Sequence, residues 1–322
     1  MSLRFTLFSI ACLTLLLAFA PAADAQQVVE MEPGTWVTDI TPDGNIVTGS
    51  GPGGAFRWEW RVDPAPTYIG GHGGTGISDD GSVIVGNMDD PTTGDQVAGR
   101  WTNATGWVPL GGVATCGSIS SAYDVSGDGT QVTGLAWDGC SGRAFLWDTT
   151  NGMQVLTHLS TSLFPTSTSN RGTVISTDGS TVAGFARGPT TRTPGYWTTD
   201  TLGGVMPDDT FGGEALGLSH DGDISVGTGF FGGTNSRAYV RSESGQTGFI
   251  NIGSLYNDWG GKATDISEDG SIICGYDVNG LATDAWVWTD EDGIIDMEQF
   301  MTDAGVINPP NFITCRKMSD DG

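Results

Sequence analysis

The dipeptide Asp-Gly recurs seven times along the chain inside a fixed frame, and that recurrence limits the fold more than any other feature. The turns are Asp43-Gly44, Asp80-Gly81, Asp128-Gly129, Asp178-Gly179, Asp221-Gly222, Asp269-Gly270 and Asp321-Gly322. Two residues before each Asp stands a hydroxyl: Thr41, Ser78, Ser126, Ser176, Ser219, Ser267 and Ser319. Three before stands Ile40, Ile77, Val125, Ile175, Leu218, Ile266 or Met318. Five residues after the first six turn glycines comes another glycine: Gly49, Gly86, Gly134, Gly184, Gly227 and Gly275. The turns are 37, 48, 50, 43, 48 and 52 residues apart, a spacing that belongs to repeat architectures.

Asp-Gly between two apolar, β-rich runs signals a hairpin, because glycine accepts a positive φ at no steric cost. The preceding hydroxyl can bond turn backbone groups. A third strand follows each hairpin: Ala55–Trp58, Gly99–Trp101, Ala144–Trp147, Gly195–Trp197, Ala238–Arg241 and Ala285–Trp288. Period-two alternation puts Phe56 with Trp58, and Phe145 with Trp147, on one face. Fourth strands are expected at Trp107–Leu110, Met153–Leu156, Phe249–Ile252 and Ile294–Met297. Four short antiparallel strands in about 45 residues make a propeller blade. Six residues before each turn Asp the side chain is modest: Val37, Gly74, Ala122, Gly172, Ala215, Ala263 and Cys315. That suits inner strands converging on an axis. The expected fold is therefore all-β, a propeller with six complete blades and the start of a seventh. A β-solenoid is the alternative, but its coils are usually shorter and need no hairpin in every repeat.

Residues 1–25 read as a secretory leader rather than as part of the fold. Arg4 precedes the apolar run Phe5–Ala20, and Ala23-Asp24-Ala25 forms a small-residue cleavage site. Residues 26–322 form the propeller domain. The chain stops inside a hairpin turn at Asp321-Gly322, so the gene is expected to continue through at least one more blade. The run Gln27–Met31 is expected to supply an outer strand that closes the last blade. Removing the leader deletes one base and one acid, so the net charge stays at −25. Such acidity excludes a nucleic-acid partner and disfavours anionic membranes. No segment after the leader is apolar enough to span a bilayer. In an oxidising compartment Cys116 and Cys140, each 12 residues from Asp128, are expected to face each other across a hairpin and form a disulfide. Cys274 and Cys315 read as buried small residues.

The frame Ala122-Tyr123-Asp124-Val125-Ser126-Gly127-Asp128-Gly129, followed by Val132, Gly134 and then Arg143-Ala144-Phe145-Leu146-Trp147, resembles the HAF-type bacterial extracellular repeat. The resemblance covers Val37 to Gly322. The His of the eponymous His-Ala-Phe is replaced in every repeat, by Arg143 in the third, so no role of that His carries over. The resemblance implies an exported bacterial protein of surface or matrix type, often part of a larger chain, with no catalytic residues.

The search for chemistry returns little. His72, His158 and His220 sit in different repeats without metal-ligand spacing, and His220 fills the variable turn position. There is no nucleophile elbow and no phosphate loop. Asp39, Asp124 and Asp265 share the position four before the turn Asp; they bond nearby backbone or hold a cation such as calcium near the channel. Thr289–Gly293 reads as a turn rather than a calcium loop. No other metal or cofactor is expected. The loops between second and third strands vary most, and with the inter-blade loops they share one rim. That rim holds Trp137, Phe185, Phe230, Phe231, Trp259 and Tyr276, the candidate ligand-binding residues, among acids such as Asp89, Asp90, Asp95 and Asp138. The expected function is an exported, non-enzymatic binding or structural module, secreted, surface-bound or periplasmic, with a glycan or protein partner. The alternative is a propeller-type polysaccharide lyase or hydrolase.

Overall fold

In a computed structural model, which describes residues 29, 31–113, 119–139, 141–160, 169–187, 192–245 and 247–320, the chain is a β-propeller of six blades. Each blade is a four-stranded antiparallel sheet in the order first, second, third, fourth. Blade 1 comprises Trp36–Ile40, Ile46–Gly51, Gly54–Glu59 and Thr67–Gly70; blade 2, Gly73–Ile77, Val83–Asp89, Gln96–Thr102 and Gly106–Gly111. Blade 3 comprises Ser120–Val125, Gln131–Asp138, Ser141–Asp148 and Gly152–Val155; blade 4, Asn170–Ile175, Thr181–Arg187, Arg192–Thr198 and Gly204–Val205. Blade 5 comprises Gly213–Leu218, Ile224–Gly229, Arg237–Ser242 and Ile250–Gly253; blade 6, Gly260–Ile266, Ile272–Asn279, Ala282–Thr289 and Gly293–Asp296. A short helix, Met297–Asp303, follows blade 6 and is capped by Asp296, whose carboxylate accepts from the Gln299 amide. The leader, Cys116 and Cys140 lie outside the described residues. So do Gln27, Val28 and Glu30, whereas Met31 packs against the core of blade 1.

The Asp-Gly turn is a four-residue loop rather than a two-residue hairpin. In the third repeat the Ser126 amide donates to the Gln131 carbonyl (2.9 Å), and the Gly129 amide to the Ser126 carbonyl (2.8 Å). The Ser126 hydroxyl donates to Asp128 Oδ1 (2.7 Å) and accepts from the Gln131 amide (3.0 Å). Asp128 Oδ1 also accepts from the Thr130 amide (2.9 Å). The hydroxyl, the carboxylate and the glycine at φ 71° each have a separate job, which explains why all three recur. These bonds hold the turn carboxylates below their ordinary range: Thr41 beside Asp43, Ser82 beside Asp80 and Ser271 beside Asp269.

The second repeated glycine has a different cause. Every first strand carries a bulge, for example between Ala122 and Asp124 opposite Gly134 and Thr133, and this pushes a carbonyl toward the second strand. A Cβ at Gly134 would lie 2.0 Å from the Ser121 oxygen, and one at Gly49 would lie 1.9 Å from the Trp36 oxygen. The same Cβ would also strike the aromatic of the third strand: Phe56 at Gly49, Phe145 at Gly134, Tyr239 at Gly227 and Trp286 at Gly275. All four rings are fully buried. The apolar core lies between blades: Val83, Val85 and Leu110 of blade 2 pack on Val125, Val132 and Phe145 of blade 3, and the other interfaces repeat the scheme.

First strands of neighbouring blades touch around the axis. Residues Ile313–Asp320 run where the first strand of a seventh blade would stand, between blades 6 and 1. The Thr264 hydroxyl donates to the Cys315 carbonyl (2.7 Å), the Glu268 amide to the Asp320 carbonyl (3.1 Å), and the Asp320 amide to the Pro42 carbonyl (3.0 Å).

Candidate functional site

The axial channel is lined by two stacked rings, one from each of two repeat positions. The lower ring takes the residue four before the turn Asp: Asp39, Gly76, Asp124, Val174, Gly217, Asp265 and Lys317. Each aspartate ties its blade to the next. Asp39 Oδ2 accepts from the Ile77 amide (2.8 Å), Asp124 Oδ2 from Ile175 (3.0 Å) and Asp265 Oδ2 from Met318 (2.9 Å). The cation beside them is Lys317, whose Nζ stands 3.4 Å from Asp265 Oδ1 and 4.0 Å from Asp39 Oδ1. Burial raises all three carboxyls, against the pull of Lys317; Asp39 is pushed up to about 7. Burial pulls the Lys317 ammonium down, and the attraction of Asp265, Asp39 and Asp124 outweighs it and raises its pKa.

The upper ring takes the residue just before each turn Asp: Pro42, Asp79, Gly127, Thr177, His220, Glu268 and Asp320. Backbone bonds run round it. The Asp79 amide donates to Gly127 (2.9 Å), Gly127 to Thr177 (2.8 Å) and Asp178 to His220 (3.1 Å). Pro42 has no amide to give. Ligand atoms of His220, Glu268 and Asp320 lie within 4.8 Å of one another, so these three side chains could share a metal ion. Burial raises the Asp79 and Asp320 carboxyls. The channel at this end encloses about 70 Å³, enough for water or an ion and too little for a sugar ring.

The opposite end carries a different chemistry. Arg171, on the first strand of blade 4, ion-pairs with Glu214 of blade 5 and stacks on Tyr123 of blade 3 (5.1 Å) and Phe185 of its own blade (4.9 Å). A side chain that reaches three successive blades must lie near the axis. Arg192 Nη1 donates to Glu214 Oε2 (2.5 Å) and also lies over the Phe185 ring (4.3 Å). Glu214 is buried, and Arg192 is half exposed. In blade 6 Lys262 lies over Tyr276 (5.6 Å).

The six rim aromatics fall into separate groups. Trp137 and Phe230 are exposed, at 39% and 41%. Phe231 sets its edge on Phe211 (5.1 Å), which stacks on Phe249. Trp259 leans on Tyr256 (4.7 Å). Phe185 lies against Arg171 and Arg192, and Tyr276 lies under Lys262. Reading the sequence repeat by repeat missed Lys317, Arg171 and Glu214. The signal was present: at the position seven before the turn Asp, Arg171, Glu214 and Lys262 stand in line with Trp36, Gly73, Ser121 and Thr314.

No family model matches the chain, and no curated protein matches it. Solved structures do. Oligogalacturonate lyase from Vibrio parahaemolyticus aligns at TM-score 0.52 with 13% identity, over 81% of this chain and 76% of that one. The β-propeller domain of the Trilobed protease from Pyrococcus furiosus, described as having an open velcro topology, aligns at 0.52 with 11% identity, over 82% and 85%. TolB from Acinetobacter baumannii aligns at 0.48 with 12% identity, over 81% of this chain and 61% of TolB. At these identities the likeness is one of fold, and fold does not carry function.

Proposed function

We propose that the chain is an exported, non-catalytic binding propeller that takes a glycan or a partner protein on the face opposite the Asp-Gly turns. The observation that carries this reading is the Arg171–Glu214–Arg192 cluster with Tyr123 and Phe185. It concentrates guanidinium and aromatic surface near the axis of a protein whose net charge is −25. The exposed rings of Trp137 and Phe230 on the same rim add apolar area that costs little entropy to order. Two guanidinium groups pair with the Glu214 carboxylate, which fixes the orientation of both arginines. The HAF-type resemblance supports export and an absence of catalytic residues.

The test is a glycan array and a surface-protein capture with the mature protein and its Arg192→Ala and Trp137→Ala/Phe230→Ala variants. Binding should drop by about 1–2 kcal/mol per lost contact with the melting temperature preserved. Release of unsaturated or reducing ends from a polysaccharide panel by the purified protein would instead establish the lyase or hydrolase reading.

A further inference from the structure

The turn-end mouth of the channel gathers its ligating side chains on one side. Three successive sectors of the upper ring, from blade 5, blade 6 and the segment Ile313–Asp320, supply His220, Glu268 and Asp320. Asp79 of blade 2 lines the same cavity. The remaining sectors, Pro42, Gly127 and Thr177, offer neither acid nor imidazole. Backbone bonds fix the three positions. The Asp178 amide donates to the His220 carbonyl (3.1 Å), the Glu268 amide to the Asp320 carbonyl (3.1 Å) and the Asp320 amide to the Pro42 carbonyl (3.0 Å). Asp320 is thereby held against blades 6 and 1, whatever follows it in the chain.

His220 shows that these groups are set for a ligand. Its Nδ1 is buried, yet among the described residues it has no hydrogen-bond partner. Glu268 Oε1 stands 3.9 Å away, too far for a hydrogen bond. A buried ring nitrogen without a partner costs free energy that a bound ion would relieve. Donors about 2.1 Å from a tetrahedral zinc ion stand about 3.4 Å from one another. The ligand atoms of His220, Glu268 and Asp320 already lie within 4.8 Å of one another, so small side-chain rotations reach that spacing. The His220 and Glu268 side chains are 43% and 56% exposed, which leaves them room to rotate and an ion a path from solvent. Lys317 does not fill the site, because its ammonium pairs with Asp39 and Asp265 in the ring below.

The donor set selects the metal. Calcium and magnesium take oxygen donors, whereas an imidazole beside two carboxylates suits a borderline ion such as zinc. We propose that His220, Glu268 and Asp320 hold one divalent cation of the zinc class, which clamps three successive inner strands at the turn end. Asp79 adds negative charge that draws cations into the mouth. This inference does not depend on the ligand of the opposite face.

Purified protein stripped of metal by a chelator should bind one Zn²⁺ per chain in a calorimetric titration, at least tenfold more tightly than Ca²⁺. Its melting temperature should rise with zinc, since the ion binds the assembled ring and not the unfolded chain. His220→Ala should weaken zinc binding at least tenfold and abolish that rise. His72→Ala, which removes a ring paired with Asp89 at the opposite end of blade 2, should change neither. If His220→Ala lowers the melting temperature without metal, Glu268→Gln, at an exposed side chain, supplies the same comparison. No zinc binding, tighter binding of Ca²⁺, or zinc binding untouched by both His220→Ala and Glu268→Gln would overturn the proposal.

Discussion

Replacing Lys317 with Met tests the electrostatic reading of the axis. Met keeps the length and flexibility of the side chain and removes the ammonium. At 3.4 and 4.0 Å from Asp265 and Asp39, and an effective dielectric constant of about 20, the two attractions are worth roughly 5 and 4 kcal/mol before desolvation. Lys317 is a quarter exposed, and its own desolvation offsets much of that. Removing one partner of such a group typically costs about 3 kcal/mol, because the carboxylates left behind have no counter-charge. The penalty should depend on pH. Asp39 sits near 7 in the folded chain, above its ordinary 3.8, so the folded state holds this proton more tightly than the unfolded state. Its contribution is full below about pH 4 and is lost as pH rises through about 7. Asp124 and Asp265 are shifted in the same direction. Without Lys317 all three rise further, and protonation relieves the repulsion as pH falls.

Urea unfolding followed by tryptophan fluorescence should therefore show Lys317→Met destabilised by about 3 kcal/mol at pH 8 and by about 1 kcal/mol at pH 5. His158, whose pKa is lowered by burial and the nearby Arg143 charge, acts in the opposite direction; it cancels between variant and parent. The turn aspartates, held low, act only below the window. An equal penalty at both pH values, or a larger one at pH 5, would refute the account.

Three further outcomes follow from the repeat frame. Gly134→Ala should cost about 3 kcal/mol in urea unfolding, since the new Cβ meets the Ser121 carbonyl, whereas Gly139→Ala, with open space at φ 64°, should cost only about 1–2 kcal/mol of backbone strain. Ser126→Ala removes a donor to Asp128 and an acceptor for the Gln131 amide, and should cost about 1–2 kcal/mol. Mass spectrometry of the non-reduced protein should find Cys116 linked to Cys140, closing a loop worth about 2–4 kcal/mol, while Cys274 and Cys315 alkylate as thiols after unfolding.

The propeller was legible because its signals are local and repeated. Asp-Gly, the hydroxyl before it and the glycine after it answer to turn and bulge geometry that recurs in every blade. The fourth strands were harder. Gly204–Val205 is a two-residue strand, and Thr67–Gly70 follows a Pro-rich loop, so neither has a pattern long enough to read. The helix Met297–Asp303 begins where a fourth strand seemed to run on through Met297, and its seven residues show no stripe, since none is buried. The candidate sites were less legible still. Phe231 and Trp259 looked like free rim aromatics, but local sequence cannot show that Phe211 or Tyr256 lies against them. The aspartates four before the turn raised the question of a cation, and the answer, Lys317, came from the same position of the seventh repeat.

In a repeat fold the invariant positions hold the blades together and the departures from the frame carry the chemistry. Every blade contributes one residue to each level around the axis, so a single substitution in one repeat changes one sector of a ring and leaves the others intact. That is how one end of the channel comes to hold three aspartates and a lysine, and the other two arginines around a buried glutamate, on nearly identical backbones. The same logic explains why the acids at the turn end serve the fold first: Asp39, Asp124 and Asp265 each accept an amide from the next inner strand, so removing one loosens two blades at once. Arg192 is tied into no such inter-blade backbone bond. It is half exposed and reaches the cluster from the start of a third strand, so replacing it should leave the closure of the ring undisturbed.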